Sequence, residues 1–353
     1  MDLSQSFKDI VHNLRINPQN FCITCSNFTS ETNSLKLTQL QNLPLEIQYV
    51  FLSTQLSEFI HSIYFDASLS IEKKPLKTNY DFIKEAFASE IDWNFYRKLD
   101  KNNKGKGWFH PDFRVLNHED DGSVAAEFQR IILHLKPECH LPFKQKYVTI
   151  DEEVNCWLPS SFINKYRYIA NGNTIGDYPS DKVSQPQLFI YFNFTSESAI
   201  SIMKFVTTEL NAIKVPFIFE VMHNPLNYNR YTSGILRLIH YDYQQMVLPI
   251  LQDIFTKHKT GFKSQVPLFT KKLAPGIGLA EHPCQKIQFT NLERFGINRC
   301  QIIANGLLKA SRKGEESPKA RIRYINQYLK FIGIDLERPY LNPGSEDIYK
   351  ILD

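Results

Sequence analysis

Tyr191, Asn193, Glu220 and Arg237 are the residues whose types and spacing first invite a chemical reading. They sit in three short segments, "LFIYFNF" (188–194), "PFIFEVM" (216–222) and "GILRLIH" (234–240). Each alternates as a β-strand does, sending every second side chain to the same face. Tyr191 and Asn193 then share one face, while Ile190, Phe192 and Phe194 take the other. On the second strand Phe217, Phe219 and Val221 lie opposite Glu220. A glutamate is a base, a tyrosine a weak proton donor, and an arginine fork grips oxyanions in pairs. Gathered on one face of a central sheet, such groups point to a site. The solvated outer face of an antiparallel sheet would carry the same residues, and the pattern alone leaves both readings open.

A second stretch is "PLFTKKLAPGIGLAEHP", residues 267–283. Adjacent Lys271 and Lys272 run into Pro275, Gly276 and Gly278, residues that fix unusual backbone angles, so the expectation is a shaped loop. Metal chemistry finds less support. Cys22 and Cys25 form one CxxC with no second pair at zinc-finger spacing, and Cys139–His140 is remote in sequence. The expectation is free thiols, no metal and no cofactor.

The elements that must position these residues follow from apolar spacing. Helices are expected over 3–15, 44–64, 79–88 and 91–100, then a break at "KNNKGKGW" (101–108). Two β-like runs follow, "VAAEFQRIILHLK" and "KQKYVTI", and a polar turn over 171–187. The unit from 188 onward reads strand, amphipathic helix (197–213), strand, turn, strand, helix (243–258), which predicts a sheet covered by helices on one side. The helical stripe of Ala199, Ile202, Met203, Val206, Leu210 and Ile213 should cover the Phe192/Phe194 face. Two more helices close the chain, one after Gly296 and one capped by Ser317 and Pro318. The fold class is α+β, a mostly antiparallel central sheet flanked by helices. It divides into a helical N-terminal region (1–105) and an α+β domain (106–353).

At 353 residues with 42% hydrophobic content, the chain can bury a substantial core. A formal net charge of +4 gives no reason to expect nucleic acid. No apolar run reaches the roughly 20 residues that span a bilayer, so no membrane partner is expected. The start "MDLSQSFKDI" has no signal-peptide core, and a cytoplasmic location is the expectation.

Four segments resemble one known family. They are "IYFNFTSESA", "VPFIFEVMHNPLNYNRYTSGIL", "VPLFTKKLAPGIGLAEHP" and "FGINRCQIIANGLL", spanning about 190–308 in order, with weaker similarity in "IDWNFYRKLDKNNKGKGWF". Together they look like the HopA-type family, which takes its name from a plant-pathogen type III effector. Relatives serve as the lyase half of split dehydratases for class V lanthipeptides and thioamitides. A kinase partner phosphorylates Ser or Thr of a precursor peptide, and the lyase eliminates phosphate to leave a dehydroamino acid. The fold resembles that of phosphothreonine lyases used by enteric pathogens. The resemblance thus implies a phosphothreonine/phosphoserine lyase-like bacterial protein with a phosphorylated precursor peptide and a kinase-like protein as partners. The naming effector is instead discussed as a protein-binding factor. The alternative is therefore a catalytically degenerate member that binds a phosphorylated or leader peptide or a partner enzyme.

Elimination needs a base for the Cα proton, an acid for the leaving group, and cations for a group of about −1.5 to −2 charge. The resemblance implies phosphate contacts from Arg230 and Arg299, with Lys271 as a third cation whose neighbouring glycines let backbone N–H groups approach the anion. Catalytic candidates are Lys271, Glu220 and Tyr191, supported by Asn193, Arg237 and Tyr228. This chain departs from the family where it matters most. Relatives carry a lysine at the position of Glu220, an acid at Thr232 and a tyrosine at Arg237. An anionic base about 4 Å from phosphate would meet a repulsion of roughly 6–8 kcal/mol. Pairing of Glu220 with Arg237 across adjacent strands would turn part of such a pocket into an internal ion pair.

Overall fold

The computed structural model describes residues 3–69, 91–128, 130–145, 147–174, 187–239, 246–284 and 294–353. Helix α1 (Leu3–Asn13) leads into a small antiparallel meander of β1 (Arg15–Asn17), β2 (Cys22–Cys25) and β3 (Phe28–Ser30). Then come α2 (Ser34–Gln41) and α3 (Leu45–Ile60), which runs on into a π-helical turn, His61–Phe65. Helix α4 (Trp93–Asn102) starts at Asp92, whose carboxylate accepts from the N–H groups of Asn94 and Phe95. The expected helix at 79–88 lies outside the described residues, as does most of the 171–187 turn.

A four-stranded antiparallel sheet follows, from β4 (Trp108–His118), β5 (Val124–Phe128), β6 (Ile131–Leu135) and β7 (Glu153–Leu158), in the order β6-β5-β4-β7. It has its own small core, including Phe113, Val115, Val124 and Val154. The run "KQKYVTI" forms no strand among its described residues. Val148 is drawn into the small core but Tyr147 is 99% exposed, so the segment has no continuous face to bury.

The central sheet has seven strands. They are β8 (Ser161–Ile163), β9 (Arg167–Asn171), β10 (Gln187–Phe192), β11 (Ile218–Met222), β12 (Gly234–Ile239), β13 (Lys271–Ala274) and β14 (Ile277–Glu281). Their order is β13-β14-β10-β12-β11-β9-β8, and every pairing is antiparallel. The fold is α+β, as the sequence predicts. The register aligns Tyr191, Ile235, Glu220 and Ile169 in one row, and Phe189, Arg237, Ile218 and Asn171 in the next. All of these share a face, because directly paired residues point the same way.

The opposite face carries Phe192, Phe194, Phe219 and Val221, each fully buried. Rings link it through Phe262 to Phe255 of α6 (Leu248–His258), which packs beside α5 (Ser196–Ala212). The α5 stripe of Ala199, Ile202, Met203, Val206 and Leu210 is buried as expected, but Ile213 caps the helix and is 36% exposed. The prediction of helices on one side only is corrected. The π turn covers the Tyr191 face, backed by α7 (Phe295–Arg312), against which α3 and α8 (Pro318–Phe331) pack. There the Phe65 ring meets Tyr191 edge-on at 5.3 Å and lies 6.1 Å from the Phe295 ring. Gly296 permits this approach, since a Cβ there would fall 2.5 Å from the Phe65 ring. The larger core joins α1 and α3 to the seven-stranded sheet and so draws on both sides of residue 105.

Candidate functional site

The "PLFTKKLAPGIGLAEHP" segment is a β-hairpin and not a free loop. β13 and β14 flank Pro275–Gly276, where Gly276 has φ +72°. A Cβ on Gly276 would lie 2.4 Å from the Lys263 carbonyl, and one on Gly278 would lie 2.6 Å from Thr270 Oγ1. The glycines serve a tight turn and close packing. The register also settles where Lys271 lies. It pairs with Leu279, the partner of Ile190, whereas Tyr191 pairs with Gly278, the partner of Lys272. Lys271 is therefore on the face away from Tyr191 and Glu220. Its ammonium is held by both Asp347 oxygens, at 2.8 and 2.7 Å. Burial would raise the Asp347 carboxyl, but hydrogen bonds from Lys271 and Tyr340 outweigh it and hold it below the usual range.

On the Tyr191 face, Glu220 is 5% exposed and ion-paired with Arg237. It also lies 3.8 Å from Arg167 Nε. Both contacts are cross-strand diagonals. Arg237 stands two residues from Ile235 on β12, and Arg167 two from Ile169 on β9, the two residues directly opposite Glu220. Arg167 continues the network by donating to the Thr232 carbonyl at 2.8 Å and to its hydroxyl at 3.2 Å. The Thr232 hydroxyl donates to Asp66, and Arg230 Nη1 donates to Asp66 Oδ2 at 2.7 Å. The π turn places this carboxylate, for the Asp66 N–H closes the turn on the His61 carbonyl at 2.8 Å.

Burial would raise the Asp66 carboxyl, but Arg230, His61 and the Thr232 hydroxyl together hold it below its ordinary value. Burial pushes His61 down to about 4, with Arg294 and Arg230 adding to the fall against Asp66. Burial also raises the Tyr191 phenol and lowers the Arg167 guanidinium. At neutral pH the network thus holds three guanidiniums (Arg167, Arg230, Arg237) against two carboxylates (Asp66, Glu220), with a neutral His61 beside them. Exposed Arg294 adds a further positive field to His61, Arg167 and Tyr191. Arg167 Nη1 is buried with no hydrogen-bond partner. An excess of cation with an unsatisfied donor is an arrangement that attracts an anion.

The structure therefore brings Glu220, Arg237, Tyr191 and Arg230 together. It does not bring Arg299 and Lys271 to the same partners. Arg299 is 1% exposed, and its donors go to the Pro339 carbonyl (2.8 Å), the Leu341 carbonyl (3.0 Å) and Asn298 Oδ1 (2.6 Å). Its guanidinium also lies over the Phe295 ring, and burial lowers it to about 10. Its contacts hold the C-terminal segment in place. Tyr228 is 3% exposed and donates to the Met222 carbonyl at 2.8 Å, a packing role. Asn193 Nδ2 donates to the Gln265 carbonyl at 3.0 Å, while its Oδ1 is buried without a partner.

Thr232, named above as a departure from the family, completes the network together with Arg167, Asp66 and His61, which the sequence reading does not single out. Arg167 opens β9, whose run Tyr168–Ile169–Ala170 does not alternate and is buried on both faces, so it carries no alternation signal. Asp66 and His61 depend on a π turn, which has no pattern in sequence. Among the described residues no three His, Cys, Asp or Glu side chains gather as metal ligands. Cys22 and Cys25 stand three apart on β2, so they point to opposite faces. No described helix is long and apolar enough to cross a membrane.

Fold and network define an α+β protein whose central antiparallel sheet carries a buried arginine–carboxylate cluster under a helical layer. Residues 158–341, more than half the chain, match the HopA1 effector protein family, and the chain belongs to that family. Among solved structures it is similar to the effector protein from Pseudomonas syringae pv. tomato strain DC3000. That match has 13% identity and TM-score 0.40, covering 84% of this chain and 97% of that one. The effector protein from Pseudomonas syringae pv. syringae strain 61 is similar at 14% identity and TM-score 0.40, covering 84% and 98%. A search of curated proteins returns no match.

Proposed function

We propose that this chain is an effector-like member of its family that binds a phosphorylated peptide through the Arg167–Arg230–Arg237 cluster and turns it over poorly or not at all. The observation that carries the reading is Glu220, which stands where the family resemblance implies a lysine and is neutralised between Arg237 and Arg167. Both of its oxygens face guanidiniums, so the carboxylate is engaged in ion pairs and not presented to a substrate. What remains is positive charge and one unsatisfied Arg167 donor, which suit a phosphomonoester of about −1.5 to −2 charge. The phosphate would come from a kinase-like partner, and with it the proposal includes a cytoplasmic location. Calorimetry with a phosphothreonine peptide and its unphosphorylated twin tests this. The phosphopeptide should bind more tightly, more weakly as salt rises, and the preference should vanish in Arg230→Ala. Equal affinity for the two peptides would end the proposal.

Phosphate elimination is the second reading, and one observation favours it. His61 is neutral at pH 7 and sits beside Asp66 and Arg230, so an unprotonated ring stands next to the cluster, although burial makes it a weak base. Mass spectrometry for loss of phosphoric acid from the phosphopeptide, with wild type and His61→Ala, distinguishes this reading from binding alone.

A further inference from the structure

Beside the arginine cluster lies a cleft of ≈ 580 Å3 whose walls come from α1, the π turn and the segment 263–269. It adjoins the cluster directly, because Ala67 and Tyr231 line it and their chain neighbours Asp66 and Arg230 form the ion pair. The Tyr231 N–H also donates to the Asp66 carbonyl at 3.0 Å. Two groups in this cleft lack what their neighbours have. Asp66, Glu220 and Asp347 are each paired with a cation. Asp9, half-buried in the cleft wall, accepts only from neutral donors, the Tyr64 hydroxyl and the Asn13 amide, and no described cation pairs with it. Asn193, 2% exposed, lines the same cleft with its Oδ1 unpartnered. Its orientation is fixed by the Nδ2 bond to the Gln265 carbonyl, so the orphaned atom is an acceptor.

A carboxylate without a counter-ion and a buried acceptor without a donor ask for the same chemistry, a cation bearing N–H groups. We infer that the cleft is a subsite for an arginine or lysine side chain of the bound peptide, with Asp9 as its counter-ion and Asn193 Oδ1 accepting one of its hydrogens. Lys263 lies on another wall, where it donates to the Tyr228 carbonyl (2.9 Å) and Asn229 Oδ1 (3.1 Å), and the carboxylate is on the Asp9 wall. The inference rests on the phosphopeptide reading only for the neighbouring phosphate. The ligand class it names is a peptide with a basic residue near its phosphorylated Ser or Thr.

The test is fluorescence anisotropy with labelled alanine-rich peptides. Each carries one phosphothreonine and one arginine placed one to four residues away on either side, beside twins in which citrulline replaces arginine. At one placement arginine should tighten binding about tenfold over citrulline, the scale of one charge-assisted hydrogen bond. Asp9→Asn, which keeps an acceptor for Tyr64, should abolish that advantage and leave the gain from phosphate intact. Equal binding of arginine and citrulline peptides at every placement overturns the subsite, and so does an arginine advantage that survives Asp9→Asn. The peptide-side comparison reads out on the unmodified protein, whatever Asp9→Asn does to folding. A lost phosphate preference with a retained arginine preference would refute the cluster reading and uphold this one.

Discussion

Glu220→Gln should be far more costly than Arg237→Gln, although both remove the same ion pair. Glu220 faces two guanidiniums, and the second, Arg167, lies 3.8 Å away with its side chain only 11% exposed. At that distance and an effective dielectric near 20, the attraction lost is about 4 kcal/mol. Arg167 cannot recover it by turning to water. Arg237, at 35% exposed, can. Breaking a buried pair from the carboxylate side therefore costs about 3–4 kcal/mol, whereas Arg237→Gln leaves Glu220 with Arg167 and costs about 1–2. Both fit within the 5–15 kcal/mol of an ordinary folded domain, so the variants remain measurable. Urea unfolding of wild type, both single variants and the double variant gives the two costs and their coupling. A Glu220→Gln cost below about 1 kcal/mol would refute the reasoning. It would mean that the Glu220 pairs contribute little net stability.

His61 should make the protein acid-sensitive in a defined window. Its folded value of about 4 lies below the ordinary 6.5, so the unfolded chain binds more protons between those values, and stability falls as pH drops from about 6.5 to 4. The full loss is at most about 3 kcal/mol and smaller in practice, because the ring keeps partial exposure; urea midpoints of wild type and His61→Leu from pH 7.5 to 4.5 should show the steeper slope in wild type, the variant keeping only what His258, also held low by burial, contributes. Asp66 contributes separately, below its ordinary 3.8, since its carboxyl is held down. Arg299→Met should destabilise by about 2–4 kcal/mol, because it strands the carbonyls of Pro339 and Leu341, and hydrogen exchange over 339–353 should rise. Lys271→Ala should leave phosphopeptide affinity within about twofold of wild type, since its ammonium is on the opposite face and tied to Asp347.

Alternation was enough to phase β10, β11 and β12, because a period of two is unforgiving where one face is buried. Phe192, Phe194, Phe219 and Val221 fall on one side, and Tyr191, Glu220 and Arg237 on the other. The Glu220–Arg237 pair was legible for the same reason. The second helical layer was not, since it depends on Gly296 letting the Phe65 ring sit against α7, a contact between residues 231 positions apart in sequence. Asp66 and His61 were hidden because a π turn adds one residue to a helix without marking the sequence. The separation of Lys271 from the cluster turns on strand parity. A Gly- and Pro-rich segment reads equally well as a loop or a hairpin until its partner strand is known. The residues that hold Lys271 and Arg299, at 339–347, carry no helical or strand periodicity and could not be foreseen.

Phosphorus NMR of a phosphothreonine peptide titrated with the wild-type protein tests the central claim most directly, because one spectrum reports both binding and turnover. The account predicts that the phosphomonoester resonance shifts or broadens saturably, that Arg230→Ala abolishes the change, and that no inorganic phosphate appears over hours. A growing inorganic phosphate signal would contradict it and make the chain a phosphate-releasing enzyme, with the mass of the peptide product separating elimination from hydrolysis. An unshifted, unbroadened monoester resonance would contradict it from the other side, leaving the arginine–carboxylate cluster as a purely structural ion network.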